Sequence, residues 1–171
     1  PFSQSDVNCD WNDFQARINN ELVANIGNFI HRTLNFISSR YQGEVPVPEE
    51  YDEMDLKFEG ELLNITGKVN KYLEKNEFDR ALKNIIDFSA NCNRYFQHRE
   101  PWKGEKGSKT CLYLSVNAVK TLAILLDPYL SFSIEPLWRQ LNIKVTRKWN
   151  LASTIDIAPG HNIGKPKILF R

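Results

Sequence analysis

Residues 11–40 read WNDFQARINNELVANIGNFIHRTLNFISSR, and the spacing of their apolar side chains decides the fold. Trp11, Phe14, Ile18, Leu22, Ile26, Phe29, Ile30, Leu34 and Ile37 recur in steps of three and four, the period of a helix that buries one face. Asp10 stands where an N-cap belongs. The spacing predicts one helix from about Trp11 to about Arg40, about 45 Å long at about 1.5 Å per residue. It stops at Gly43–Pro48 (GEVPVP), where a glycine and two prolines cannot continue it.

Downstream the same period returns four times. Glu49, Glu50, Asp52, Glu53 and Asp55 form an acidic first turn that complements a helix dipole, and Met54, Phe58, Leu62, Ile65, Val69 and Leu73 mark the buried face behind it. Gly60 and Gly67 soften this second helix. Asn76 is placed to cap a third, with a core stripe of Phe78, Leu82, Ile85 or Ile86, Phe88 or Ala90, and Tyr95, ending at Pro101. After a polar loop, Lys103–Gly107, a fourth helix over about 108–126 is the most apolar and therefore the most buried, and a short fifth covers about 134–141. Strand-like alternation is absent. The expected fold is all-α, an antiparallel bundle of about five helices. From Asn142 the character changes: residues 142–171 hold six Lys/Arg against one acid and read as an extended basic arm laid back on the bundle. The expected organisation is thus a linker over 1–9, a bundle over 10–141 and an arm over 142–171.

Composition narrows the function classes. Hydrophobic residues make 42% and charged residues 25% of the 171, the proportions of a folded domain and not of a disordered chain. Lys plus Arg number 22 against 21 Asp plus Glu, so any nucleic-acid contact must come from a local patch. The longest apolar run, Thr121–Leu126, is far short of the about 20 residues of a membrane span, and no membrane partner is expected. Cys9, Cys92 and Cys111 form no CxxC pair, which points to a reducing compartment and a cytoplasmic location. The chain opens on Pro-Phe-Ser-Gln without an initiator Met, as a piece excised from a longer polypeptide would.

Catalytic and metal motifs are missing. His31, His98 and His161 fall on separate elements with no second ligand at metal spacing, and no nucleophile elbow is present. Gly104–Thr110 (GEKGSKT) has the wrong spacing for a phosphate loop and is preceded by no strand. The sequon Asn64-Ile65-Thr66 lies mid-helix.

Binding is better represented. At 100° per residue, Arg17, Glu21, Asn28, Arg32 and Asn35 share a wedge beside the apolar face of the first helix, and Asn28 and Arg32 emerge one turn apart. Such a stripe also suits a plain solvated face. Trp102, directly after the helix-ending Pro101, sits in a stiff turn where its ring either plugs the bundle end or offers a flat face to solvent. An exposed indole near amide and guanidinium donors is the equipment that reads an unstacked RNA base.

Three segments together carry a family resemblance: residues 14–32 (FQARINNELVANIGNFIHR), Asn93-Arg-Tyr95 with Pro101-Trp102, and residues 159–170 (PGHNIGKPKILF). In this order they closely resemble the anticodon-binding half of class I methionyl-tRNA synthetase, in its archaeal and eukaryotic form, over nearly the whole chain. The resemblance implies an all-helical module that recognises the CAU anticodon loop of tRNA(Met). A separate catalytic domain of the same polypeptide, with ATP and zinc-binding knuckles, would attach methionine. The signatures of that domain are not in this chain, so the fragment is expected to be non-catalytic, with no cofactor or metal of its own. Matched position by position, the anticodon-reading residues are Asn28 and Arg32, and the Pro-Trp that stacks the wobble cytosine is Pro101 and Trp102. Where some bacterial members carry a further Asn one turn before Asn28, this chain has Ala24, which leaves Asn25 and Asn35 as candidates for additional RNA contacts. Lys144, Arg147, Lys148, Lys165 and Lys167 are candidates for phosphate contacts. The competing readings are a scaffold or oligomerisation bundle, and the anticodon-binding half of another class I synthetase.

Overall fold

The computed structural model describes residues 12–13, 15–17, 19–20, 22–129, 134–143 and 149–166. The expected linker, the Asp10 cap, the side chains of Trp11, Phe14 and Ile18, and four of the candidate phosphate contacts (Lys144, Arg147, Lys148, Lys167) lie outside these residues.

The described residues form α1 (Gly27–Arg40), α2 (Glu53–Glu74), α3 (Phe78–Arg99), α4 (Ser108–Leu126) and α5 (Glu135–Leu141). Short 3₁₀ turns come after α3 (Pro101–Lys103), after α4 (Asp127–Tyr129) and at the start of the arm (Trp149–Ser153). The first helix is interrupted. Residues 12–20 are helical where described, but Leu22–Ile26 is a π-helical stretch before regular α1 begins. Its apolar stripe behaves as the spacing demands: Ile26, Phe29, Ile30, Leu34 and Ile37 are all buried.

In α2, Asp52 accepts a hydrogen bond from the Asp55 amide at 3.0 Å while the Asp55 carboxylate accepts one from the Asp52 amide at 3.0 Å, a reciprocal capping box. The acidic run thus does more than complement a dipole: it starts the helix. Phe58, Leu62, Ile65 and Val69 are buried, but Met54 is 41% exposed. The helix runs unbroken through Gly60 and Gly67. Asn76 does not cap α3. It takes φ +58 and closes α2, its amide donating to the Leu73 carbonyl at 3.0 Å, and Glu77 holds the cap position of α3 without a side-chain bond. Phe78, one residue into α3, is 54% exposed and not core, whereas Ile85, Ile86 and Phe88 are all buried.

Around α4 the other helices and the arm assemble, and it touches α1, α2, α3, α5 and the Trp149–Ser153 turn. By length and hydropathy it could cross a bilayer, yet 89% of that apolar window is buried inside the bundle. Its buried polar residues Asn117 and Lys120 face the arm. Asn117 donates to the Ile157 carbonyl at 3.3 Å and accepts from the Ile157 amide at 2.9 Å. Lys120 Nζ donates to the carbonyls of Leu151 (2.7 Å) and Thr154 (2.6 Å) and pairs with the Asp156 carboxylate. Burial lowers the Lys120 pKa, an effect that the Asp156 contact opposes.

Further along, the arm pairs with the α1–α2 loop. Val45 donates to His161, Gly160 to Val45 and Ile163 to Gly43 at 2.7–2.8 Å, around an isolated antiparallel bridge between Glu44 and Asn162. Gly164 then passes so close to α5 that a Cβ would lie 2.7 Å from the Arg139 carbonyl oxygen.

Candidate nucleic-acid interface

α3 ends at Arg99, and Glu100 turns the chain in a left-handed conformation (φ +48). Pro101 opens the 3₁₀ turn, where its missing N–H is no loss, and is itself buried. Gly104, at φ +65, closes the turn with its amide on the Pro101 carbonyl at 3.3 Å. Trp102 is therefore held at both ends. The end of α3 is tied down as well: Arg99 pairs with Asp52 and lies 3.5 Å from the buried carboxylate of Asp55, which also accepts the Tyr95 hydroxyl at 2.6 Å. Burial, reinforced by that carboxylate, raises the Tyr95 pKa well above the phenol range. The Arg99 guanidinium lies where a Cβ on Gly107 would be, 2.1 Å from Nη2, so the α3–α4 loop needs glycine at this point.

Trp102 neither plugs the bundle nor stands free. It is half-buried, one side packed on Phe36 and Phe96 at 6.4 Å between ring centroids. These rings come from α1 and α3, lie 5.8 Å from each other, and Phe96 meets Phe29 edge-on at 6.3 Å. Onto this aromatic bed comes Arg32. Its Cζ lies 4.7 Å from the Phe96 centroid and 5.6 Å from that of Trp102, and one Nη donates to Gln97 at 3.3 Å. Arg40, two turns on, donates to the Trp102 carbonyl at 3.4 Å and covers Phe36 at 5.8 Å.

The structure thus brings Arg32, Pro101 and Trp102 into one patch. Asn28 lies one turn before Arg32 on the same helix and is exposed. Asn35 is exposed and engages His31, Nδ2 to Nε2 at 2.8 Å. Asn25 is half-buried within the π stretch, its carbonyl accepting from Asn93 at 2.8 Å. The wedge expected from 100° per residue holds only for Asn28, Arg32 and Asn35. Arg17 lies upstream of the π stretch, which breaks the constant rotation that placed it with them, and Glu21 is outside the described residues. Phe36, Phe96, Gln97 and Arg40 were not singled out from the sequence. Phe36 stands at i+4 from Arg32 and could have been found from that spacing.

A family model described as the anticodon-binding domain of tRNA ligase matches residues 55–165. The chain belongs to that family. A second model, class I tRNA synthetases (M), matches residues 2–34. The anticodon-binding domain is 36% identical over 170 residues to a methionine--tRNA ligase of Pyrococcus abyssi, covering 97% of this chain and 23% of that protein. A methionine--tRNA ligase of Methanobrevibacter smithii is 36% identical over 169 residues, covering 96% of this chain and 26% of the relative. The domain so spans about a quarter of the length of these curated relatives, and within its family it stands with the class I methionine enzymes of archaea. A solved methionyl-tRNA synthetase of Mycobacterium tuberculosis bound by methionyl-adenylate shares the fold with a TM-score of 0.83 at 23% identity, over 94% of this chain and 33% of that one.

Among the described residues of the anticodon-binding domain, no group of three His, Cys, Asp or Glu side chains could hold a metal ion. Cys92 and Cys111 are buried free thiols, and burial pushes the Cys111 pKa up to about 12, far from a reactive thiolate.

Proposed function

We propose that this domain reads the CAU anticodon loop of tRNA(Met) for a methionine--tRNA ligase whose catalytic domain lies elsewhere in the same polypeptide. That domain uses ATP and carries the zinc knuckles; the fragment on its own performs no chemistry and works in the cytoplasm. The observation that carries this reading is the convergence of the Arg32 guanidinium and the Trp102 indole, 5.6 Å apart, over a bed of two phenylalanines.

The chemistry comes from what each group offers. The outer face of Trp102 stacks an unpaired wobble base, a contact of about 1–3 kcal/mol. Cytosine then presents two adjacent acceptors, O2 and N3, to a donor fork. Arg32 uses one Nη on Gln97 and keeps further N–H groups for the base. Uracil carries a hydrogen on N3 and sets donor against donor, leaving buried groups unpaired. Asn28 supplies a second amide one turn away, with Asn25 and Asn35 nearest for the remaining anticodon bases. Lys165 is the described member of the basic set for phosphates.

Titrating a CAU anticodon hairpin at low salt against the parent chain, Trp102→Ala and Arg32→Gln tests the reading. Each variant is expected to lose more than about 1 kcal/mol of binding with its helicity intact. Parent-like binding by both would overturn it.

A further inference from the structure

α3 packs on the first helix more through the π-helical stretch Leu22–Ile26 than through regular α1. Asn93 makes the polar contact there. Its Nδ2 donates to the Asn25 carbonyl at 2.8 Å and more weakly, at 3.4 Å, to the Ser89 carbonyl of its own helix. The other end of the same amide, Oδ1, is buried without a hydrogen-bond partner. Leaving a buried acceptor unpaired carries a cost, so the amide is held in place by what its donor side does.

The donor side meets a turn of unusual geometry. A π turn holds one residue more than an α turn, and if it relaxed to α geometry everything upstream would rotate by about 100° against α1. α1 itself is fixed, because Phe29 and Ile30 are buried in the core. Asn25 sits inside the π stretch, Asn28 one residue into α1, and Arg32 one turn later. The angle between Asn25 and the Asn28–Arg32 face is therefore set by whether the π turn persists.

We propose that Asn93 is a positioning residue of the RNA-reading face: its side-chain amide clamps the π turn at Asn25 and so fixes Asn25 in register with the Asn28–Arg32 face of α1. This rests on the anticodon-reading proposal and adds to it a residue that touches no base.

The test uses the full 171-residue chain and the CAU hairpin, with Asn93→Ala, the donor-less isostere Asn93→Asp, Asn25→Ala, which keeps the carbonyl that Asn93 engages, and the Asn93→Ala/Asn25→Ala double variant. Thermal midpoints are recorded alongside. Each Asn93 variant is expected to weaken binding by about threefold to tenfold. In the double variant the two losses are expected to be non-additive, because Asn93 acts through the presentation of Asn25. Parent-like affinity in both Asn93 variants overturns the inference, as do additive losses, which a merely structural residue gives. Unfolding of both below the assay temperature overturns it too, since Asn93 then serves the fold. Trp102→Ala, run in parallel, separates the two levels. If it and Arg32→Gln both bind normally, the anticodon reading itself fails; if it weakens binding while the Asn93 variants do not, only the clamp is refuted.

Discussion

Arg32→Lys is the sharpest perturbation of the site because it keeps the charge and removes the fork. In the free chain Arg32 makes one hydrogen bond, 3.3 Å to Gln97, and two cation–π contacts at 4.7 and 5.6 Å. Lysine can still lie over Phe96, and each such contact at an accessible site is worth about 0.5–1 kcal/mol. The thermal midpoint is therefore expected to move by less than about 3 °C. Binding is another matter. The planar fork donates to O2 and N3 of cytosine together, whereas an ammonium on a flexible stem satisfies one of them well. The difference is one hydrogen bond to a charged group, about 1.5–3 kcal/mol, or about 10- to 150-fold in Kd. Because that bond tells cytosine from uracil, the variant should also lose most of its preference for a CAU over a UAU hairpin. Fluorescence titration of both hairpins at a single fixed salt concentration measures the two Kd values. An undiminished cytosine-to-uracil ratio in Arg32→Lys would refute the fork argument even if overall affinity fell.

Two further predictions concern the frame. Lys120→Met keeps the aliphatic stem but leaves the Thr154 carbonyl without its donor, whereas the Leu151 carbonyl still accepts from the Thr154 hydroxyl at 2.7 Å. At about 1–3 kcal/mol for one abandoned acceptor, and little for the half-exposed Asp156 pair, a loss of about 1–3 kcal/mol in urea unfolding is expected, with faster proteolysis within residues 149–166. A loss under about 0.5 kcal/mol would show that the arm does not depend on this ammonium. The second prediction concerns acid. The Asp55 amide, aided by Arg99, holds the Asp52 carboxyl below its ordinary value of 3.8. A lowered pKa means that the unfolded chain takes up the proton first, so the stabilisation is complete above pH 3.8 and lost as pH falls through the folded value. Asp52→Asn keeps a competent cap without the charge, so the parent's advantage over it should be present at about pH 6 and gone by about pH 2. A gap that does not change with pH would assign it to something other than this carboxylate.

How much of this was legible in the sequence depends on the distance over which each feature is encoded. Helical periodicity reports burial directly, so the stripe from Ile26 to Ile37 and the burial of the mostly apolar α4 were legible. Hydrogen-bond register leaves no mark on apolar spacing, and the π stretch was invisible for that reason. Asn76 was misplaced because asparagine serves both as a helix N-cap and as a left-handed terminator, and only the backbone tells which. Met54 and Phe78 fit the stripe but stand in the first turns of their helices and are exposed. The roles of Asn117 and Lys120 were not legible, because what they bind lies 31 to 40 residues further on. At the site, Arg32 and Trp102 were found through resemblance, whereas the rings beneath them come from two helices 60 residues apart in sequence.

The choice of support for Arg32 bears on what it can recognise. Elsewhere in the chain cations are met by carboxylates: Arg99 by Asp52 and Asp55, Lys120 by Asp156, Lys103 by Glu100. Among the described residues, no carboxylate pairs with Arg32 or Arg40. An Arg–carboxylate pair engages the donor fork edge-on, and a neutral base would have to displace it. An aromatic bed holds the same guanidinium by its face and leaves the edge, where the N–H groups lie, to hydrogen-bond a base. With a formal net charge of only +1, the chain has little general attraction for a polyanion, so short-range complementarity has to supply discrimination. Phe36 and Phe96 therefore keep a cation oriented and available at the place where the anticodon-reading proposal puts a neutral heterocycle.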